Sequence, residues 1–284
     1  MGSARDHLLG FNAVSGRAEA FKSGGRVVKN VTGYDLSKLI SGSYGTLAVL
    51  TELTFKVLPA PEKTYTVLLL GLDGETATRA MAAAMNSSHE VAGAAHLPGT
   101  VANRSAVSFV RDAGASVTAL RLEGFGPSVE QRCRELRQEL AGFGALEELH
   151  SRNSVTLWSE IRDALYLAEP RDRLIWRLSV PPSAGHAVLT GLTGSLGGEG
   201  FLDWSGGLLW LSLPASGDAG HARVRSAIAA CGGHATLIRA PVDTRAAVPV
   251  FHPQPAPLAA LSARVKDSFD PKRILNPGRM VAGS

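Results

Sequence analysis

Gly24-Gly25-Arg26-Val27-Val28-Lys29-Asn30-Val31-Thr32-Gly33-Tyr34-Asp35-Leu36-Ser37-Lys38-Leu39-Ile40-Ser41-Gly42-Ser43-Tyr44-Gly45-Thr46-Leu47-Ala48-Val49-Leu50-Thr51-Glu52 is the stretch on which the reading of this chain turns. Asp35 is placed to cap a short helix over residues 36–41, and Gly42 stands just past its end as a left-handed stop. After Gly45 the period becomes two: Leu47, Val49, Leu53, Phe55 and Val57 alternate with Ala48, Leu50, Glu52, Thr54 and Lys56. That pattern predicts a long strand with one apolar side. Pro59-Ala60-Pro61 stops it and marks a domain boundary. The loop Gly42-Ser43-Tyr44-Gly45-Thr46 follows a helix end, where carbonyls and partial negative charge collect, so it is no pyrophosphate loop by itself. Two readings of it stand: a helix cap with a tight turn, or small residues that let backbone approach a flat ring.

Working outward, residues 8–14 and 18–21 read as strands joined by the turn Ser15-Gly16-Arg17. Beyond the boundary, strands are expected at 65–70, 91–97, 106–111 and 117–123, with helices at 75–85 and 128–141. A second round follows, with helices at 154–167, 183–192 and 218–231 and strands at 174–180, near Phe201, at 208–213 and at 235–239. Mixed elements with hairpin-like strand pairs predict an α+β layer, a ferredoxin-like antiparallel sheet with helices on one face. No repeat of fixed short period is visible. Residues 241–257 carry Pro249, Pro253 and Pro255 and are expected to be irregular. A last helix over 258–268 precedes Phe269-Asp270-Pro271-Lys272-Arg273-Ile274-Leu275-Asn276-Pro277-Gly278-Arg279.

The net charge of +4 comes mainly from arginines interleaved with acids, as in Glu130-Gln131-Arg132-Cys133-Arg134-Glu135. A nucleic-acid binder concentrates its basic residues in a stripe; this chain does not, which argues against that class. Mild positive charge suits a small anionic substrate or an acidic partner. Cys133 and Cys231 are too few and too far apart for a disulfide framework or zinc site, and read as thiols in a reducing cytoplasm. No apolar run is long enough for a transmembrane segment, and the N-terminus has no apolar signal core. A cytoplasmic location, with any membrane association made through partners, is the expectation.

Residues 24–52 and the tail from Phe269-Asp270-Pro271 to Asn276-Pro277-Gly278-Arg279 together resemble FAD-linked oxidases of the vanillyl-alcohol-oxidase type, with a PCMH-type FAD-binding domain. The first segment is similar to the pattern that closes their FAD domain, and the second to their C-terminal tail. Within that family, Gly24 to Val31 and the preceding Ser3-Ala4-Arg5-Asp6-His7-Leu8-Leu9-Gly10 look like the second of the two flavin subunits of bacterial glycolate oxidases. The resemblance implies FAD as cofactor, held in part by Lys29, Asn30, Gly42, Ser43, Gly45, Thr46, Val49 and Asn276. It implies residues 1–60 as the C-terminal portion of an FAD-binding domain, 61–250 as an α+β cap, and 251–284 as a tail returning to the FAD side. It implies hydride transfer from a small 2-hydroxy acid, a sister flavin subunit and an iron–sulfur partner subunit.

Two departures limit what carries over. The family's Gly-rich pyrophosphate loop has no counterpart here, so the N-terminal part of the FAD domain is expected to be missing and FAD to be held weakly by the chain alone. The His-x-x-Gly-Asp-Gly-Asn-x-His motif of related hydroxy-acid dehydrogenases is absent too. His89, His96, His150, His186, His221, His234 and His252 lack ligand spacing, so no metal site is expected and no catalytic residue is assigned. Trp158, Trp176, Trp204 and Trp210 read as core, with Trp204 and Trp210 also placed to line a pocket. The Arg171-Asp172-Arg173 cluster reads as a solvated turn or a carboxylate contact. The alternative to a catalytic flavin subunit is a non-catalytic interaction subunit, or a truncated relative that does not hold FAD alone.

Overall fold

Strand β1 (Leu8–Ser15) is the centre of a three-stranded sheet of order β2-β1-β3, with β2 (Ala20–Gly24) and β3 (Ala48–Phe55) antiparallel on either side. The chain is described here from a computed structural model that covers residues 3–30 and 33–281; Val31 and Thr32 of the quoted stretch lie outside the described residues. It divides into two units, Met1–Pro59 with Pro253–Ser284, and Ala60–His252.

In the first unit the β1–β2 turn closes through Ser15 N–H to Glu19 O, with Ala18 left-handed at φ +62°. Asp35 caps helix α1 (Leu36–Ile40), its carboxylate accepting from Lys38 N–H. The sheet packs Phe11, Ala13 and Ala48 against Ile40 and Leu47, with Phe21, Leu36, Val265 and Phe269 closing the cluster. Val265 and Phe269 come from the C-terminal helix, Ala256–Phe269, so the last part of the chain completes the core of the first. Phe21 meets Phe11 edge-on, with ring centroids 5.7 Å apart, and leans on Phe269 at 5.8 Å.

Strand β3 departs from its period-two reading. Glu52 pairs with Asn12 but Leu50 with Ala13, so Thr51 is an extra residue, a β-bulge. A bulge reverses the parity of everything beyond it. Leu50 opposite Ala13 and Leu53 opposite Phe11 therefore share the core-facing side, and Val49 turns to the other side opposite Val14. Leu50, Leu53 and Phe55 are nevertheless 37%, 45% and 47% exposed. Beside them β3 is a sheet edge, with no strand among the described residues on its outer side.

The second unit repeats one plan. Strand β4 (Lys63–Leu70), helix α2 (Gly74–Met85), strands β5 (Gly93–Leu97) and β6 (Val117–Gly124), helix α3 (Gly126–Glu139) and strand β7 (Ala145–His150) form a first βαββαβ run. After helix α4 (Ser151–Arg162), strand β8 (Leu174–Ser179), helix α5 (Gly185–Leu196), strands β9 (Glu199–Asp203) and β10 (Leu208–Leu213), helix α6 (His221–Ala229) and strand β11 (His234–Arg239) form a second. Each run folds with its first strand between its last and its third, and the two join through β5 and β9 into one sheet, β11-β8-β10-β9-β5-β6-β4-β7. This is the expected ferredoxin-like α+β layer, made twice. The two halves share no sequence period because only their hydrophobic pattern is common.

One face of the sheet packs against α2, α3, α5 and α6, through Ala80, Met81, Val129, Leu136, Leu189, Leu192 and Ile228 among others. The expectation of helices on one face is incomplete: α4 brings Leu157, Trp158 and Ile161 onto the opposite face with Ala95, Leu97 and Phe201. Residues 106–111 are not a strand. Ser108–Arg111 is a helical turn, because the buried Glu160 carboxylate takes Ser105 Oγ at 2.6 Å and Ala106 N–H at 2.6 Å and bends the chain there. Residues 241–257 are not wholly irregular either. Pro241 lies at the N-cap of a short helix, Val242–Ala247, where its missing N–H costs nothing. Trp158 and Trp176 are core, whereas Trp204 is 56% exposed and carries the Arg177 guanidinium 5.1 Å from its ring centroid.

Glu160 also accepts from Tyr166 Oη at 2.9 Å, so two buried hydroxyls and the Ala106 N–H converge on one carboxylate. Glu160→Ala strands them and is expected to lower stability by roughly 3 kcal/mol. A urea midpoint unchanged from the native chain would disprove this.

Candidate functional site

The loop after α1 is held open by its own backbone. Ser43 N–H bonds Ile40 O, and Thr46 returns both its N–H (3.0 Å) and its Oγ1 (2.7 Å) to Ser43 O. Between them Tyr44 (φ +54°) and Gly45 (φ +70°) are left-handed. A Cβ on Gly45 would lie 2.8 Å from Asn276 Nδ2, so the loop and the tail approach more closely than any side chain allows. Asn276, itself at φ +44°, donates Nδ2–H to Tyr44 O at 2.7 Å. The Arg279 guanidinium lies 5.8 Å from the centre of the Tyr44 ring. Tyr44, Asn276, Pro277, Gly278 and Arg279 line a recess of about 490 Å³.

Behind this recess sits a buried ion pair. Lys266 Nζ donates to Asp270 Oδ2 at 2.6 Å, to Thr46 O at 2.8 Å and to Leu275 O at 2.9 Å. Asp270 accepts in turn from Ile274 N–H at 3.1 Å and Leu275 N–H at 2.8 Å. Burial alone would raise the Asp270 pKa; the Lys266 bond and the two backbone N–H groups outweigh it and hold the carboxyl below its usual range.

The structure thus gathers Ser43, Gly45, Thr46 and Asn276 at one place, with Gly42 (φ +86°) at the mouth of the same loop. It puts Asn30 elsewhere, in a recess of about 100 Å³ shared with Tyr34, Asp35 and Lys38. Lys29 is exposed and lines neither recess. Val49, 55% exposed, stands on β3. Tyr44, Asp270 and Arg279 stand within the quoted segments without an expected role, and Lys266 lies outside them. The Lys266–Asp270 spacing of four on a helix was the available signal, but such a pair ordinarily lies on the surface.

The second unit holds a cavity of about 330 Å³ at the join of its two halves, lined by Asp73, His96, Thr100, His186, Thr190 and Glu199 among others. His96 pairs across the join with Leu202, is 4% exposed, and shares a hydrogen bond with Thr118 Oγ1 through Nδ1. Burial first, then the neighbouring His186, lowers its pKa to about 4. Among the described residues no group of three or more His, Cys, Asp or Glu side chains could hold a metal ion. No described helix is long and apolar enough to cross a membrane.

Compared with known proteins, the chain is 32% identical over 283 residues to the glycolate oxidase subunit GlcE of Escherichia coli K12, an alignment covering 99% of this chain and 67% of that protein. The chain belongs to the GlcE family. No family model matches it. It is also 41% identical over 69 residues to the glycolate oxidase subunit GlcD of Bacillus subtilis 168, covering 24% of this chain and 15% of that one. Among solved structures, 4-ethylphenol oxidase from Gulosibacter chungangensis aligns with a TM-score of 0.61 over 98% of this chain and 66% of that one, at 12% identity. An alkyldihydroxyacetonephosphate synthase aligns at 0.58, covering 97% of this chain and 54% of that one, at 15% identity. These likenesses establish the fold: a mixed α+β chain built on the plan of the PCMH-type flavoproteins.

The GlcE-family chain fits FAD, the cofactor of this family, in part. Gly42 and Gly278, both with positive φ, have open space where a Cβ would stand, and Gly278 lines the recess of about 490 Å³. A pyrophosphate cradle is not among the described residues of this unit. Its loop of small residues follows the C-terminal end of α1, and the Asp35 carboxylate occupies the N-terminal end of that helix.

In unfolded chains an imidazole takes up its proton near pH 6.5, whereas His96 in the fold resists to about 4. The folded state therefore loses stability as pH falls through that interval and loses nothing above it. A histidine NMR titration should place the His96 midpoint well below those of exposed histidines; a midpoint at 6 or above would overturn the assignment.

Proposed function

We propose that this chain is a flavin subunit of a glycolate oxidase-type complex, working on a small 2-hydroxy acid beside a sister flavin subunit and an iron–sulfur subunit. The observation that carries the reading is the junction of the Ser43-Tyr44-Gly45 loop with Asn276 over the recess of about 490 Å³. The likeness to GlcE across 99% of the chain supports it. When bound, FAD supplies the acceptor for a hydride from the substrate α-carbon. The protein's part is positional: Asn276 is pinned by its Nδ2 bond and keeps its amide oxygen as an acceptor for a ring N–H. The small loop lets backbone approach the ring face, and Arg279 adds positive charge beside the recess for an anionic group. Gly42, Ser43, Gly45 and Thr46 belong to this contact. Lys29, Asn30 and Val49 stand apart from the recess and serve at a greater remove.

A second reading, an interaction subunit that does not hold FAD alone, is favoured by two observations. The core-facing side of β3 continues as exposed Leu50, Leu53 and Phe55 beside an open sheet edge, and the described residues of the unit include no pyrophosphate cradle. The visible spectrum of the purified chain after incubation with FAD and desalting separates the two. Retained flavin absorbance that drops at least tenfold in Asn276→Ala, and that bleaches with glycolate, is the expected outcome of the first reading. A colourless native chain selects the second.

A further inference from the structure

We propose that Lys266 is a positioning residue: its ammonium binds the Gly42–Thr46 loop and the C-terminal tail into one rigid body, and the recess around Asn276 exists only while both are docked on it. The inference rests on the flavin reading for its functional meaning, but its geometry stands without flavin. Lys266 is 7% exposed and Asp270 0%. A lysine ammonium has three N–H donors, and here they go to three different places. One goes to Thr46 O, 220 residues away in sequence and the last residue of the loop. One goes to Leu275 O, next to Asn276. One goes to the Asp270 carboxylate, one turn along the same helix, which itself holds the tail through Ile274 and Leu275 N–H. Every donor is used, and the charge is neutralised without solvent.

The arrangement is specific to an ammonium. A guanidinium spreads its donors in a planar fork and cannot direct three bonds from one atom. An apolar side chain leaves Asp270 as a buried charge without its counter-ion, together with two carbonyls stripped of their donor. The space behind Asp270 is equally prescribed. Gly16 packs so closely that a Cβ there would lie 2.2 Å from Asp270 Oδ1, and Gly16 N–H bonds Phe269 O. The carboxylate therefore has no room to swing away from Lys266. Tyr44, Arg273 and Asn276 are all left-handed, at φ +54°, +52° and +44°, in the two segments that Lys266 ties down. Such backbone persists only where surrounding bonds over-determine it. The position of Asn276 against Tyr44 O is thus set from behind, by a residue that lines no part of the recess.

The test is amide hydrogen exchange on the full chain without flavin, native against Lys266→Met. Exchange at Ile274, Leu275 and Thr46 is expected to quicken at least tenfold, while Phe11 and Ala13 in β1 stay protected. Flavin retention, read separately by absorbance after desalting, falls with it. A merely structural lysine would instead speed exchange across the whole unit alike, or change nothing, and either result overturns the proposal. If Lys266→Met does not fold, the native chain decides: ¹⁵N spectra should show a Lys266 ammonium protected from solvent exchange, and a freely exchanging ammonium overturns the proposal. A native chain that retains no flavin, yet shows the local exchange effect, sinks the flavin reading and leaves the positioning role standing.

Discussion

A strand at the edge of a sheet presents a row of N–H and C=O groups that must find partners, and this chain meets that requirement differently in its two units. In Ala60–His252 each βαββαβ half ends on a strand, β5 or β9, that would otherwise be open. The halves satisfy each other: His96 and Leu202 pair across the seam, and the two sheets become one. Everything above the seam follows, because α2 and α5 are brought side by side and enclose the cavity in which His96 is buried neutral. The three-stranded sheet has no such self-solution. Among the described residues its β3 edge is open, and the apolar side chains next to it remain half in water.

Hydrophobic periodicity was a good guide where strands were regular. The alternation of the second unit, with β4, β8, β10 and β11 near their expected places, follows from apolar runs bounded by turn residues. It was a poor guide where a tertiary bond overruled the local pattern. Residues 106–111 look like a strand because Val107, Phe109 and Val110 are apolar, but the Glu160 carboxylate from a distant helix turns the chain there. The bulge at Thr51 carries no local signature, yet it reverses which side of β3 meets the core. The doubling of the βαββαβ plan was hidden because like faces need only like hydrophobicity, which different residues supply.

At the candidate site, the loop of small residues and Asn276 could be picked out from motif resemblance, since both are short and chemically distinctive. What holds them could not. A Lys and an Asp four residues apart carry no sign of burial in the sequence, and only the fold shows that Thr46 and Leu275 supply the remaining acceptors. Tyr44 and Arg279 escaped for a related reason, because their contact joins positions far apart in the chain. Lys29 and Asn30 illustrate the converse: neighbours in a motif need not share a recess.

The core of the first unit is closed by Val265 and Phe269 against Phe11, Ala13 and Phe21, with the whole of the second unit made in between. During synthesis the core of the β1–β3 sheet therefore stays incomplete until residues 60–252 and the last helix have emerged. Its apolar face stays open throughout that interval, and the last helix acts as a clasp. A chain cut short before residue 265 would lack the side chains that close this core.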